Sequence, residues 1–181
     1  MRRSFRHASA ERTVASPLLL RIELVDGAVG YGETHLRPYV TGERPEEVTD
    51  IIERTLIQRL LEFRPGSFPE ALEQIQGLPF VDAQDRPLAG TRAAVELALL
   101  DATSRSFRMP LEVAAQWLGA PRLGSPGSTG SVRFSGIVGS ESPAGVRWSI
   151  RKMRLYGLRD FKLKVGDEGD HARLEAAVGA L

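Results

Sequence analysis

Hydrophobic positions along the chain run first with a period of two, then with a period near 3.6, and finally alternate between the two. Leu18 to Val25 begins as an apolar run, alternates from Arg21, and ends at Asp26-Gly27, a hairpin turn signal. Ala28 to Gly32 returns as a second strand, and Met1 to Val14 is expected to supply a third strand or a loop beside it. Thr34 to Arg44 is polar and interrupted by Pro38 and Gly42, so it reads as a loop of functional length.

From Pro45 the period lengthens. Proline suits the first helical turn, Glu46 and Glu47 complement the helix dipole, and Val48, Ile51, Ile52, Leu56, Leu60 and Leu61 form an apolar stripe to about Phe63. Ser67-Phe68-Pro69-Glu70 fits a capping box for a short helix to Gln76. Thr91 to Phe107 is the strongest helix, with Ala94, Val95, Ala98, Leu99 and Ala102 facing inward, and Pro110 to Leu118 adds another before Gly119 and Pro121. Strands followed by helices make the first part an α+β unit. Leu123 to Gly130 has turn composition throughout and is the predicted domain boundary. Beyond it, Val132 to Val138 reads as strand, Pro143 to Tyr156 as helix, Phe161 to Val165 as strand and Asp170 to Leu181 as helix, the opening of a parallel α/β array.

Composition narrows the function classes. The 181 residues are 42% hydrophobic and carry a net charge of +1, so no global field argues for nucleic acid or an anionic membrane. Seven of the 24 cations fall between Arg147 and Lys164, which reads as a solvated helix face continued into a strand. The absence of cysteine excludes disulfides, thiolate catalysis and Cys-ligated zinc. His7, His35 and His171 show no metal-ligand spacing. No apolar run approaches the ~20 residues of a membrane span, and Ala8 to Pro17 is too polar for a signal peptide core, so a cytoplasmic location is the default expectation. Gly30-Tyr31-Gly32-Glu33 lacks the third glycine of a dinucleotide loop and precedes a loop; a strand with closely packed backbone is the better reading.

The chemistry concentrates at Asp160-Phe161-Lys162-Leu163-Lys164-Val165-Gly166. Strand alternation puts Phe161, Leu163 and Val165 on the face that packs against helices and turns Lys162 and Lys164 to the other. Facing water, these are ordinary surface lysines. Facing a barrel interior, two ammonium groups in close proximity depress one another's pKa and can move protons, provided an anion compensates their burial.

Gly30-Tyr31-Gly32-Glu33, Arg37-Pro38-Tyr39-Val40-Thr41-Gly42-Glu43, Ala94-Val95-Glu96-Leu97-Ala98-Leu99-Leu100-Asp101, Arg133-Phe134-Ser135-Gly136 and Lys162-Leu163-Lys164-Val165-Gly166 occur in the order found in the enolase superfamily. The chain resembles its mandelate racemase and muconate lactonizing enzyme branch, which includes dipeptide epimerases. The lysine pair is the specific element; the glycine and alanine segments mark the fold. The resemblance implies an α+β capping domain (antiparallel sheet plus helical bundle) over residues 1–125, followed at 132–181 by the first two βα units of an incomplete (β/α)8-type barrel. It implies that Lys164 abstracts or returns the proton alpha to a carboxylate and that Lys162 helps neutralise that carboxylate. Mg2+ would stabilise the enediolate in full-length relatives. Substrate-shaping loops would map to His7–Pro17 and Thr34–Gly42, with His7, Arg12, Arg37, Tyr39 and Thr41 as the candidate contacts.

Departures from that pattern set the functional expectation. Met1 stands almost directly before Ser4-Phe5-Arg6, so the capping sheet is expected to lack an edge strand. Two βα units are about 50 residues of the ~250 typical of such a barrel. The strands that would bring three acidic metal ligands and an opposing acid are not among them. Asp167, Glu168 and Asp170 read as helix-start residues, which leaves no metal ligands to assign. The chain alone is therefore expected to be inactive and not to hold Mg2+. Two parallel strands leave edges open, which predicts a homo-oligomer or a missing barrel partner. The reading is a fragment of a racemase- or epimerase-type enzyme, with cycloisomerase or dehydratase chemistry also open. A non-catalytic remnant acting in association and one half of a split enzyme are the alternatives.

Overall fold

The computed structural model describes residues 5–7, 10–12, 17–117, 133–139, 142–166 and 168–181, the first two stretches by backbone alone. The chain divides into two compact units, Ser16–Ser128 and Thr129–Leu181 with Met1–Ala15. The expected turn-rich boundary, Leu123 to Gly130, lies outside the described residues.

In the unit Ser16–Ser128, β3 (Leu18–Glu23) and β4 (Val29–Thr34) pair antiparallel from Leu18↔Thr34 to Glu23↔Val29. The turn closes with Leu24 N–H donating to Ala28 O at 2.9 Å, and Gly27 takes a φ of 85°, which glycine adopts without strain. The long helix α5 (Ala89–Ser106) lies directly on β4. Gly30 and Gly32 make this approach possible. A Cβ at Gly30 would come within 2.1 Å of Ala98 O, and one at Gly32 within 1.8 Å of Ala94 O. Ala94, Ala98 and Ala102 recur every four residues, so α5 presents a single stripe of methyl groups to the strand, and all three are fully buried.

The short helix α1 (Pro38–Thr41) occupies the segment expected to be irregular loop, started by Pro38 and stopped by Gly42 at φ 77°. Helical backbone then runs from Pro45 to Glu62, but not as one regular helix. A 3-10 turn (Pro45–Glu47) leads into α2 (Val48–Ile51), a wider π-type stretch (Ile52–Leu56) and α3 (Ile57–Glu62). Ile51 and Leu56 are both buried yet five residues apart, a spacing an α turn cannot keep on one face and a widened turn can. Leu61, placed on the apolar stripe by sequence, is 61% exposed.

The capping box forms at α4 (Phe68–Gln76). Ser67 Oγ accepts from Glu70 N–H at 3.3 Å, while Glu70 Oε2 accepts from Gly66 N–H at 2.8 Å, one residue earlier than the usual reciprocal bond. A last short helix, α6 (Glu112–Trp117), follows. Leu56, Phe63, Ala71, Ile75, Leu78, Val95 and Leu99 form the core between these helices, and each large member contributes about 1.5–3 kcal/mol by leaving water.

In the other unit, β1 (Phe5–His7) and β2 (Ala10–Arg12) pair with each other, antiparallel, and not with β3. Met1 to Val14, expected as a third strand or a loop beside the hairpin, thus carries a two-stranded ribbon of its own among the described residues. β5 (Ser135–Val138), α7 (Pro143–Leu155), β6 (Asp160–Leu163) and α8 (Asp170–Val178) follow in βαβα order, with β5 and β6 parallel from Ser135↔Asp160 to Val138↔Leu163. Ser142 caps α7 by accepting from Gly145 N–H at 3.2 Å. Val138, Val146, Ile150, Ala176, Ala177 and Ala180 make the core, with Met153, Phe161 and Leu163 packed on it. Arg147, Arg151, Lys152 and Arg154 are exposed, as a solvated helix face requires.

Candidate functional site

Backbone pairing places the lysines. Lys162 sits opposite Ile137 in the parallel register, and both are exposed, whereas Phe161 and Leu163 turn into the core beneath α7 and α8. Lys162 therefore lies on the sheet face away from the helices. Lys164 follows the last strand residue, yet its N–H still donates to Val138 O at 3.3 Å, extending the ladder by one bond. Alternation then carries Lys164 to the Lys162 face, where it is half-buried. Val165 does not join Phe161 and Leu163. It lies past the end of pairing and is 63% exposed.

The surroundings of this strand are built by charge. Arg133 Nε stands 3.5 Å from Asp160 Oδ2 at the start of β6. After the lysines the chain turns at Gly166, with φ 139°, and Gly166 N–H donates to Asp170 Oδ2 at 2.6 Å. Asp170 also pairs with the buried Arg173 of α8. Asp170 thus fixes the exit of the lysine strand and the start of the next helix, the helix-start role expected of it. Among the described residues, no three His, Asp or Glu side chains are grouped so as to hold a metal ion. Asp167 lies outside the described residues.

The candidate substrate contacts fall in different places. Arg37, Tyr39 and Thr41 come together on and beside α1, exposed or nearly so. There Thr41 Oγ1 donates to Arg37 O at 3.3 Å and accepts from Arg37 N–H at 3.4 Å, tying the turn to itself. His7 ends β1 and Arg12 ends β2, in the other unit.

Sequence reading passed over Glu43, which proves to be the anchor of this segment. Its side chain is buried, and its two carboxylate oxygens accept from Gly90 N–H at 2.6 Å and Thr91 N–H at 2.8 Å. It thereby caps the first turn of α5 from 47 residues away, supplying acceptors the helix start lacks and a negative charge where the dipole is positive. Gly90 leaves the carboxylate room, since a Cβ there would meet Leu36 Cδ2 at 2.3 Å. The only sequence signal was that Leu88, the residue before α5, cannot cap it. Arg92, also buried, stacks 3.4 Å from the Phe80 ring centroid and pairs with Glu96 at 2.7 Å.

Two carboxylates in this unit are held below the ordinary aspartate range. Ser106 Oγ donates to Asp26 at 2.5 Å, the main cause there, and Ala28 N–H adds a second bond. Asp82 is lowered chiefly by the backbone N–H of Arg86, with Gln84 N–H and the Arg86 guanidinium contributing. Both are loop fasteners, far in kind from a proton-transfer site.

Comparison with known proteins bears on this arrangement. The chain is 31% identical over 166 residues to the L-Ala-D/L-amino acid epimerase of Populus trichocarpa, an alignment covering 90% of this chain and 35% of that protein. Its fold matches the substrate-liganded L-Ala-D/L-Glu epimerase of Bacillus subtilis with a TM-score of 0.76 at 24% identity, over 98% of this chain and 46% of that one. It also matches a dipeptide epimerase of Enterococcus faecalis, solved with Mg and the dipeptide L-Leu-L-Tyr, with a TM-score of 0.68 at 23% identity, over 98% and 46% of the two chains. The chain thus spans about a third of the curated relative and under half of these solved structures. Residues 1–118 match the family model of the mandelate racemase / muconate lactonizing enzyme N-terminal domain. With that match covering well over half of its length, the chain belongs to the mandelate racemase / muconate lactonizing enzyme family.

Proposed function

We propose that this polypeptide is the first part of a racemase- or epimerase-type enzyme that removes the proton alpha to a carboxylate, with a dipeptide as the favoured substrate class. Residues 1–125 would form the capping domain and 132–181 the first two βα units of the barrel. One observation carries the reading: Lys162 and Lys164 share the helix-free face at the C-terminal end of a parallel strand, the end where barrel enzymes build their sites. Lys164 Nζ would take or return the proton, and the ammonium of Lys162 would favour the neutral, basic form of its neighbour and attract the substrate carboxylate. Arg37, Tyr39 and Thr41, with His7 and Arg12, would shape substrate choice.

Magnesium would supply charge stabilisation for the enediolate in full-length relatives. The described residues give it no ligand set, so the metal would be held by later strands, and the 181 residues alone would neither bind Mg2+ at a specific site nor turn over substrate. The exposed Ile137 beside Lys162, and the exposed Leu174, Val178 and Leu181 near β6, which pairs with β5 alone among the described residues, support a barrel continued by further strands.

The test is α-proton exchange of L-Ala-L-Glu in D2O with Mg2+, followed by NMR, for this chain alone and mixed with a polypeptide supplying the remaining barrel strands. Exchange is expected only in the mixture and is expected to fall by a factor on the order of 10² to 10⁴ with Lys164→Ala. Exchange by the chain alone, or micromolar Mg2+ binding to it in a calorimetric titration, would overturn the inactive-fragment reading. Full exchange in the mixture with Lys164→Ala would overturn the assigned base.

A further inference from the structure

The outer edge of β3 carries backbone groups turned away from its one strand partner. Tyr31 N–H donates to Asp101 Oδ2 on α5 at 3.0 Å, so at Tyr31 the β4 backbone points away from β3. Opposed residues in an antiparallel pair turn both toward each other or both away, so Arg21, the register partner of Tyr31, also points outward. The bond from Leu24 N–H to Ala28 O confirms the parity, with even-numbered residues turned toward β4. The N–H and C=O groups of Leu19, Arg21 and Glu23 therefore face outward, and among the described residues no strand pairs with them. Such an edge is a template for another strand.

We propose that this edge pairs with the same edge of a second copy of the chain, antiparallel about a two-fold axis through Ile22. Charge selects that register. Arg21 and Glu23 stand side by side on the exposed face, with Arg21 Nη2 2.6 Å from Glu23 Oε2. An axis at Ile22 sets Arg21 of each copy opposite Glu23 of the other. An axis at Arg21 opposes arginine to arginine, and an axis at Glu23 opposes glutamate to glutamate, both unfavourable across a strand pair. The Ile22 axis also keeps odd residues opposite odd residues, which the outward-facing backbone requires.

Apolar surface follows the same register. Leu19, 65% exposed, comes opposite Val25 of the second copy, 80% exposed. On the other face, β3 borders a concavity of about 400 Å³ lined by Ile22, Leu24, Leu60, Leu61, Phe63 and Phe107. The second copy brings its own Leu20, Ile22 and Leu24, packed on its own core, to the same side of the joined sheet, so the two concavities adjoin symmetrically, as an isologous contact requires.

Sedimentation velocity on the full chain over a concentration series tests this. Wild type is expected to show a reversible monomer–dimer equilibrium. Arg21→Glu alone and Glu23→Arg alone should each weaken it by roughly tenfold or more, because both symmetric cross-strand pairs become like-charged. The double variant, Arg21→Glu with Glu23→Arg, restores opposite charges in the same register and should recover the dimer. Circular dichroism of each variant separates lost pairing from lost fold. A dimer indifferent to the single reversals overturns the proposed interface. A monomeric wild type overturns it too, and hydrogen exchange then gives the edge occupant: protected Leu19, Arg21 and Glu23 amides assign it to another stretch of the same chain.

Discussion

Both units set helices against one face of a two-stranded sheet, but they use the contact differently. In Ser16–Ser128 the helix meets the strand backbone itself. Gly30 and Gly32 lie against Ala94, Ala98 and Ala102, a remote carboxylate closes the helix start, and residues of the 45–62 helical stretch and of α4 complete a core. In Thr129–Leu181 the core is small and alanine-rich, resting on Val138, Val146 and Ile150 with help from Phe161 and Leu163, while Lys162 and Ile137 on the opposite sheet face are exposed. The first unit is organised to hold a shape. The second keeps one face available, and the lysines occupy that face.

Breaking the backbone contact should have the largest effect. Gly32→Val places a side chain where even a methyl carbon would lie 1.8 Å from Ala94 O, and is expected to cost about 3 kcal/mol or more by forcing α5 off the strand. Urea unfolding followed at Trp117, in a Trp148→Phe background, reads this in the unit that carries Trp117; an unchanged midpoint would mean that α5 tolerates displacement.

Glu43→Ala should come next, at about 2–3 kcal/mol, because the Gly90 and Thr91 amides lose a charged acceptor. Glu43→Gln keeps one acceptor oxygen and should recover part of the loss. The single tryptophans also order the units: the Trp148 signal should move at lower urea than the Trp117 signal, since its unit has the smaller core. Coincident transitions would show that the two units unfold together.

Acid reaches the first unit through Asp82. Its folded pKa is depressed, so the stability it contributes is complete above the unfolded aspartate value of about 3.9 and is lost as pH falls through the lower folded value. Asp82→Asn should therefore lower the Trp117 midpoint at pH 7, and the difference from wild type should shrink once pH falls below that window. Lys162→Ala should change stability by no more than about 0.5 kcal/mol, since Lys162 is exposed. A larger loss would mean that Lys162 holds the fold, contrary to an electrostatic role.

Much of this contrast was legible in the residues. Period-two and period-3.6 patterns located the β3–β4 and β5–β6 pairs and the major helices, because those patterns report which face meets the core. The alternation Phe161-Lys162-Leu163-Lys164 set the lysines opposite the packed face. Local rules failed where a distant residue decides the outcome. Glu43 gave no sign of capping a helix 47 residues away, and nothing in the 45–62 stretch announced the widened turn that keeps both Ile51 and Leu56 buried. Val165 was placed inside because alternation was extended past the last strand residue, and Thr34 to Arg44 was read as irregular because Pro38 and Gly42 suggested interruption when they begin and end a turn of helix. The hydrophobic pattern says which faces are inward; it is silent on which charge from afar will finish an element.

The anchoring of Glu43 has a consequence for how this segment can vary. Arg37, Tyr39 and Thr41 sit on a single helical turn, and the chain leaves it through Gly42 straight into a buried carboxylate locked onto α5. The turn is thus a replaceable head on a fixed stem. Its exposed letters can be rewritten over evolutionary time, or exchanged in the laboratory between relatives, while the point where the segment rejoins the scaffold stays put.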